Sequence, residues 1–204
     1  MATYLIQNGK NVRGTTWDNM NDFLPSSESG APVYGNTFTW EKSVGSVKYF
    51  DFAMAAGQAY RSVALTGWNS AYNASNYAKL HIEGYCSIGD SASVGGGRIY
   101  LGENGKNAAT YVTLPRTNGT VSIDLPSYKG NLMIYAYMYV VNYHNTYHAY
   151  IKNMWLTANY YTITYDANGG SGAPAAQTLE AGTINLSSDL PSRTGYTFQG
   201  WAKS

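Results

Sequence analysis

The stretch that decides the fold is Lys79-Leu80-His81-Ile82-Glu83-Gly84-Tyr85-Cys86-Ser87-Ile88. Leu80, Ile82, Cys86 and Ile88 fall on one side of an extended chain, and Lys79, His81, Glu83 and Ser87 on the other. Alternation held over ten residues describes a β-strand with one face on a core and the other towards water. Similar signals recur on both sides of it. Lys48–Met54 and Arg61–Thr66 read as strands before it. Arg98–Gly102, Thr110–Leu114, Thr120–Leu125, Leu132–Tyr143 and Tyr147–Thr157 read as strands after it. Gly95-Gly96-Gly97, Glu103-Asn104-Gly105 and Asn118-Gly119 read as the turns between strands. Thr120–Leu125 and Leu132–Tyr143 read as consecutive antiparallel partners joined through Pro126–Asn131. No stretch sustains helical periodicity, and Trp17–Phe23 admits at most one helical turn.

Strands of this length with hairpin punctuation predict an all-β protein, an antiparallel jelly roll or β-sandwich. Residues 46–158 are expected to form it. Residues 1–45 hold the loop Leu24–Pro32 among Trp17, Phe23, Phe38 and Trp40, and read as an N-terminal arm or anchoring segment with a few short strands. Residues 159–204 read as a separate small β module.

Composition narrows the function classes. Charged residues are 12% of the 204-residue chain, about half the usual share. Polarity comes instead from Asn, Ser, Thr and the hydroxyls of 20 Tyr, with 22 Gly for turns. Thirteen Lys and Arg against 12 Asp and Glu give a net charge of +1 without a basic block. No nucleic-acid partner is therefore expected. The single cysteine, Cys86, has no internal disulfide partner and lies in a core-facing set, so it reads as an inert buried thiol. Met1–Lys10 has neither a basic start nor an apolar run, so no signal peptide is expected there. No apolar run has the length of a membrane span, so no membrane insertion is expected.

Catalytic motifs are missing. There is no His-Glu-x-x-His, Gly-x-Ser-x-Gly or Gly-x-x-x-x-Gly-Lys-Ser/Thr. No catalytic residue is assigned, and the chain is expected not to be an enzyme. Glu83, Asp90, Glu103 and Asp124 are possible acid–base carboxylates, but the sequence pairs no two of them. Asp90, Glu103 and Asp124 could hold a structural Ca²⁺, on spacing that is not diagnostic, so no cofactor is assigned. His144 and His148, four apart outside any helix, read as surface histidines rather than metal ligands.

The recognition candidates are aromatic. In Leu132–Tyr143, Leu132, Ile134, Ala136, Met138 and Val140 form one face. Met133, Tyr135, Tyr137, Tyr139 and Val141 form the other, continued by Tyr143. Tyrosines at every second position stand about 7 Å apart. Such a row can stack on sugar rings or pack on a partner; the blander expectation buries both faces, one of them under the N-terminal arm. Trp68, Tyr72, Tyr77 and Tyr147 are weaker aromatic candidates.

Two resemblances add to this reading. The order of features from Asn73–Ile82 through Arg98–Gly102, Gly119–Leu125 and Gly130–Tyr137 to Ile151–Leu156 resembles jelly-roll domains of phage tail, baseplate and fibre proteins. Those domains are similar in shape to carbohydrate-binding modules. At the C-terminus, Tyr161-Thr162-Ile163-Thr164-Tyr165-Asp166-Ala167-Asn168-Gly169-Gly170 and Pro191-Ser192-Arg193-Thr194-Gly195-Tyr196-Thr197-Phe198-Gln199-Gly200-Trp201 stand in order. They resemble the Listeria–Bacteroides repeat, the internalin B-repeat-like β-grasp module of bacterial surface proteins. The resemblance implies a turn at Asp166–Gly170, core aromatics Tyr196, Phe198 and Trp201, and a further strand beyond Ser204 in a complete unit. The first expectation for function is a non-enzymatic phage virion protein, located in the virion, that assembles with other virion proteins or a second copy of itself and contacts bacterial surface glycans. The alternative is a bacterial cell-surface adhesin or a carbohydrate-binding module of a larger secreted protein.

Overall fold

The computed structural model describes residues 2–12, 38–55, 60–64, 74–87, 95–103, 110–125, 132–140, 145–182 and 184–203. The chain divides into two compact units, Met1–Thr157 and Ala158–Ser204. All regular elements among the described residues are strands: β1 (Ala2–Gln7), β2 (Lys10–Asn11), β3 (Phe38–Val44), β4 (Val47–Met54), β5 (Tyr60–Ala64), β6 (Tyr77–Cys86) and β7 (Gly95–Glu103). They continue with β8 (Thr110–Thr113), β9 (Gly119–Asp124), β10 (Leu132–Val140), β11 (Tyr147–Ala158), β12 (Tyr160–Ile163) and β13 (Gln177–Glu180).

The first unit is a two-sheet sandwich. In sheet A, β11 pairs β6, which pairs β9, and β11 also pairs β4 and β1, which carry β3 and β2. Sheet B runs β5-β10-β7-β8. Successive strands β4, β5, β6 and β7 alternate between the sheets, as do β8, β9, β10 and β11. An eight-strand alternation of this kind is the jelly roll. It corrects one expectation. β9 and β10 are not hairpin partners: β9 pairs β6 in sheet A, and β10 lies between β5 and β7 in sheet B. Both strands carry core residues, so sequence spacing alone did not separate a hairpin from a crossover.

The alternation read from the sequence holds where it was clearest. Leu80, Ile82 and Cys86 of β6 are buried, as are Leu132, Ile134, Ala136 and Met138 of β10. They meet Phe50, Phe52 and Met54 of β4, Ile99 and Leu101 of β7, and Ile151, Met154 and Leu156 of β11. The expected arm is in part sheet: β1, β2 and β3 are strands of sheet A, with Leu5 and Ile6 fully buried in its core. Asn8 and Gly9, with φ of 49° and 70°, turn β1 into β2. Asn-Gly is the pairing such a positive-φ hairpin turn favours.

Gly95–Gly97 is the other correction. These residues are not a turn but the start of β7, paired with Val140, Tyr139 and Met138. The reason is close approach. A Cβ on Gly97 would lie 2.9 Å from the Cβ of Cys86 on the opposite sheet, and one on Gly96 3.2 Å from the Tyr139 ring. Glycine inside a strand marks such contacts.

In the second unit, β12 and β13 pair antiparallel, and Ser171 bridges Ser192. The Asp166–Gly170 turn forms as expected: Asn168 and Gly169 have positive φ, and Asn168 N donates to Asp166 Oδ1 at 2.8 Å. Trp201 packs on Tyr165 and Phe198. Tyr196, expected in the core, is 68% exposed and lies under the Arg193 guanidinium at 4.2 Å.

Gly84 tests the sheet A packing. An added Cβ would sit 2.1 Å from the Tyr150 carbonyl oxygen, which is backbone and cannot swing aside. Gly84→Ala is expected to destabilise the protein by about 2 kcal/mol or more in urea denaturation. Gly119→Ala, whose Cβ meets nothing closer than 3.5 Å, is expected to unfold close to the wild type.

Candidate functional site

The tyrosine row of β10 forms as expected but is not presented to solvent. Tyr135 is 0% and Tyr137 2% exposed. On the outer face of sheet B, Tyr100 stacks on Tyr135 at 5.2 Å and meets Tyr137 edge-on at 5.7 Å; Tyr137 stacks on Tyr139 at 5.9 Å. The Arg98 guanidinium sits 4.5 Å from the Tyr111 ring and 4.4 Å from the Tyr139 ring. It donates to the hydroxyls of Tyr100 and Tyr139. Rings spaced to stack on a ligand are also spaced to pack on Tyr100 and Arg98 of the neighbouring strand. Tyr135 and Tyr137 are therefore packing residues in the described structure. Tyr77 is half-buried, its hydroxyl 2.9 Å from Thr3 Oγ1. Tyr147 is a buried core residue. Trp68, Tyr72, Tyr143, His144 and Asp90 lie outside the described residues.

The outer face of sheet A brings together a different set. On β6, His81, Glu83 and Tyr85 face outward and are half-buried. On β11, the inward residues are Tyr147, Ala149 and Ile151, then Met154 and Leu156. Lys152 and Asn153 are both half-exposed. This extra residue shifts the phase of the strand as a β-bulge does, and the register with β1 shifts beside it, between Tyr4 and Ile6. Tyr150 and Trp155, one even and one odd, therefore share the outer face. Gly9 N donates to Lys152 O at 2.8 Å at this point. Before the bulge β11 pairs β4, and after it β1.

Two aromatic groups result. Trp155 stacks on His81 at 5.1 Å and 15° and contacts Tyr4 at 5.9 Å. Tyr150 contacts Tyr85 at 4.9 Å and Tyr49 at 5.6 Å, and stacks on His148 at 5.2 Å and 4°. At about 3.3 Å per residue, the two groups stand roughly 15 Å apart along β11. Between them lies a polar bridge. Glu83 accepts from Lys152 Nζ at 2.8 Å, from Asn153 Nδ2 at 2.5 Å and from Asn118 Nδ2 at 3.4 Å. Beyond the second group, His148 Nδ1 lies 2.8 Å from Oδ1 of the buried Asp51.

Protonation is set by these contacts. Burial, with Lys79 beside it, lowers the His81 pKa from 6.5. Both its ring nitrogens are engaged, Nδ1 with Ser122 Oγ at 2.7 Å and Nε2 with Thr157 Oγ1 at 3.0 Å. Burial alone raises Glu83, but the hydrogen bonds from Lys152, Asn153 and Asn118 outweigh it and hold the carboxyl below its usual range. Tyr150 is pushed up to about 12 by burial, then by Asp51 and Tyr85, and burial likewise raises Tyr85. At neutral pH both phenols are hydrogen-bond donors.

Other candidates separate. Asp124 pairs with Lys79 at 2.5 Å, and Glu83 with Lys152. The side chain of Glu103 lies outside the described residues, and no cluster of metal-ligating side chains occurs among those described. Cys86 is buried, as its strand position indicated. The face was half legible. Alternation placed His81 and Glu83 on the wet side of β6. Trp155 was hidden because the bulge at Lys152 and Asn153 breaks the period that would have revealed it.

Residues 161–204 match the model of the Listeria-Bacteroides repeat domain, under a quarter of the chain. No curated protein matches. Among solved structures, a family 11 carbohydrate-binding module of Clostridium thermocellum in complex with a β-1,3-1,4-mixed-linked tetrasaccharide overlaps 77% of this chain and 95% of its own, at 13% identity and a TM-score of 0.46. A low-affinity xylan-binding module of Roseburia intestinalis overlaps 71% and 93%, at 11% identity and 0.41. A family 29 carbohydrate-binding module of Piromyces equi overlaps 78% and 91%, at 8% identity and 0.39. At these values the fold rests on the strand order above.

Because the His81 pKa is lowered on folding, the unfolded chain binds more protons just below pH 6.5. Stability is therefore expected to be full above that pH and to fall as pH drops through it. In His81→Gln, thermal melts between about pH 7 and 5 are expected to lose this part of the slope.

Proposed function

We propose that this chain is a non-catalytic polysaccharide-recognition protein of the cell surface or extracellular space, with the outer face of sheet A as its binding platform. The observation that carries this is the pair of half-buried aromatic groups flanking the Glu83–Lys152–Asn153 bridge. A sugar ring has apolar faces of C–H bonds and an equator of hydroxyls. The first needs a flat, polarisable ring to lie on, and the second needs donors and acceptors held in place. Trp155 and Tyr150 supply flat rings, and Glu83 and Lys152 supply fixed polar atoms between them. The roughly 15 Å between the groups suits a short run of linked sugars rather than a single one.

The C-terminal match supports the setting, since the repeat it resembles belongs to bacterial surface proteins. The virion role expected first from the sequence draws no such support, so the alternative, a surface or polysaccharide-binding module, is the reading adopted. A jelly roll alone decides nothing here, because the fold hosts many functions.

The test is affinity electrophoresis through gels containing soluble polysaccharides, followed by titration with oligosaccharides of the retarding type. Trp155→Ala and Tyr85→Ala are each expected to weaken binding by about tenfold or more, with the far-ultraviolet dichroism unchanged. Tyr111→Ala, on the outer face of sheet B, is expected to bind as the wild type. Equal loss in all three variants, or no retardation by any polysaccharide, would remove the platform from consideration.

A further inference from the structure

We infer that the platform reads an uncharged polysaccharide, and that Glu83 is its specificity-determining acceptor. This rests on the binding-platform reading above and goes further, to the chemical class of the ligand. The argument is electrostatic. Among the described residues, the two lysines that border or bridge the aromatic groups are already neutralised within the chain. Lys152 pairs with Glu83 at 2.8 Å and Lys79 with Asp124 at 2.5 Å, and the buried Asp51 is engaged by His148 Nδ1 at 2.8 Å. His81 is held neutral by burial and by Lys79. Lys42, opposite Tyr49 on the edge strand β3, is exposed and enters no ion pair among the described residues, but it lies to one side of the bridge. A uronate or sulfated chain laid between the two groups would have to compete with Glu83 for Lys152. It would also bring negative charge against a carboxylate whose pKa its hydrogen bonds hold below the usual range.

The bridge can still recognise hydroxyls. An ionised carboxylate offers about four lone-pair sites. Lys152 and Asn118 use Oε1, and Asn153 uses Oε2, which leaves room at Oε2 for one hydroxyl donor. Lys152 spends one of its N–H donors on Glu83, so the others remain for hydroxyl oxygens. Acceptor and donor therefore stand side by side with no net charge. That arrangement suits the vicinal hydroxyls of a neutral sugar, which donate and accept at once.

Salt tests this directly. Titrations with neutral glucan, xylan and mannan oligosaccharides and with oligogalacturonate, on the full chain, would run from about 0.01 M to about 1 M ionic strength, where the screening length falls from about 30 to about 3 Å. The expected result is binding of a neutral oligosaccharide whose affinity changes less than about twofold over that range. Glu83→Gln is expected to lower that affinity about tenfold. By freeing Lys152, it is also expected to confer oligogalacturonate binding that disappears at high salt. A purely structural glutamate would produce the loss without the gain. If Glu83→Gln does not fold, the wild-type salt series stands alone. Preference of the wild type for oligogalacturonate, with affinity falling steeply in salt, overturns the inference but leaves the platform standing. Binding of neither class overturns both.

Discussion

The structure depends on the bulge that breaks β11 at Lys152 and Asn153. A strand of twelve residues without it would keep one phase throughout, and Trp155 would point into the core. The bulge lets one strand serve two neighbours in turn, β4 before it and β1 after it. Gly9 reaches the Lys152 carbonyl at the discontinuity, and a side chain there would run into the backbone of Tyr49. The same break sets Lys152 and Asn153 side by side as donors to Glu83. One irregularity thus joins the N-terminal hairpin to the sheet, orients the indole and builds the polar bridge.

The two sheets treat their outer faces differently. On sheet B, phenol rings and a guanidinium pack on one another, and Tyr135 and Tyr137 are buried. On sheet A, rings are separated by hydrogen-bonded polar groups, and the pairs Trp155–His81 and Tyr150–His148 remain half-exposed. The difference comes from what stands between the aromatics. Arg98 spreads flat against its neighbours and fills the gaps by cation–π contact. Glu83 and Lys152 satisfy each other instead, and leave the rings beside them open.

How much of this could be read from the sequence follows from the same physics. The faces of β6 and β10 were legible because a strand with one buried side writes its period directly into the chain. The tyrosine row of β10 was legible as a row, and burial of both its faces was the blander expectation; its packing on Tyr100 and Arg98 of β7 was not legible, since they lie some thirty-five residues earlier in the chain. Gly95–Gly97 reads as a turn because glycine signals both a bend and a close approach, and only the position of Cys86 across the sandwich tells them apart. Asn8-Gly9 carried a hairpin signature in a segment read as an arm, although β1 brings Leu5 and Ile6 into the core. The crossing from β9 to β10 left no local mark, because either connection satisfies the same alternation.

The alternation of strands between sheets also governs how the molecule can come into being. β4 pairs β3 locally but joins the centre of sheet A only through β11: Asp51 and His148 meet 97 positions apart, and Asn8 and Asn153 meet across 145. Loops of that length must close before their contacts return any energy, which places the sandwich among slow folders dominated by non-local contacts. A growing chain lacking β11 has no centre for sheet A, and Phe50, Phe52, Leu80 and Ile82 stay without their cover. Until Tyr147–Ala158 has been synthesised, sheet A lacks its central strand, and the order of synthesis makes the closing of the sandwich the last event of its folding.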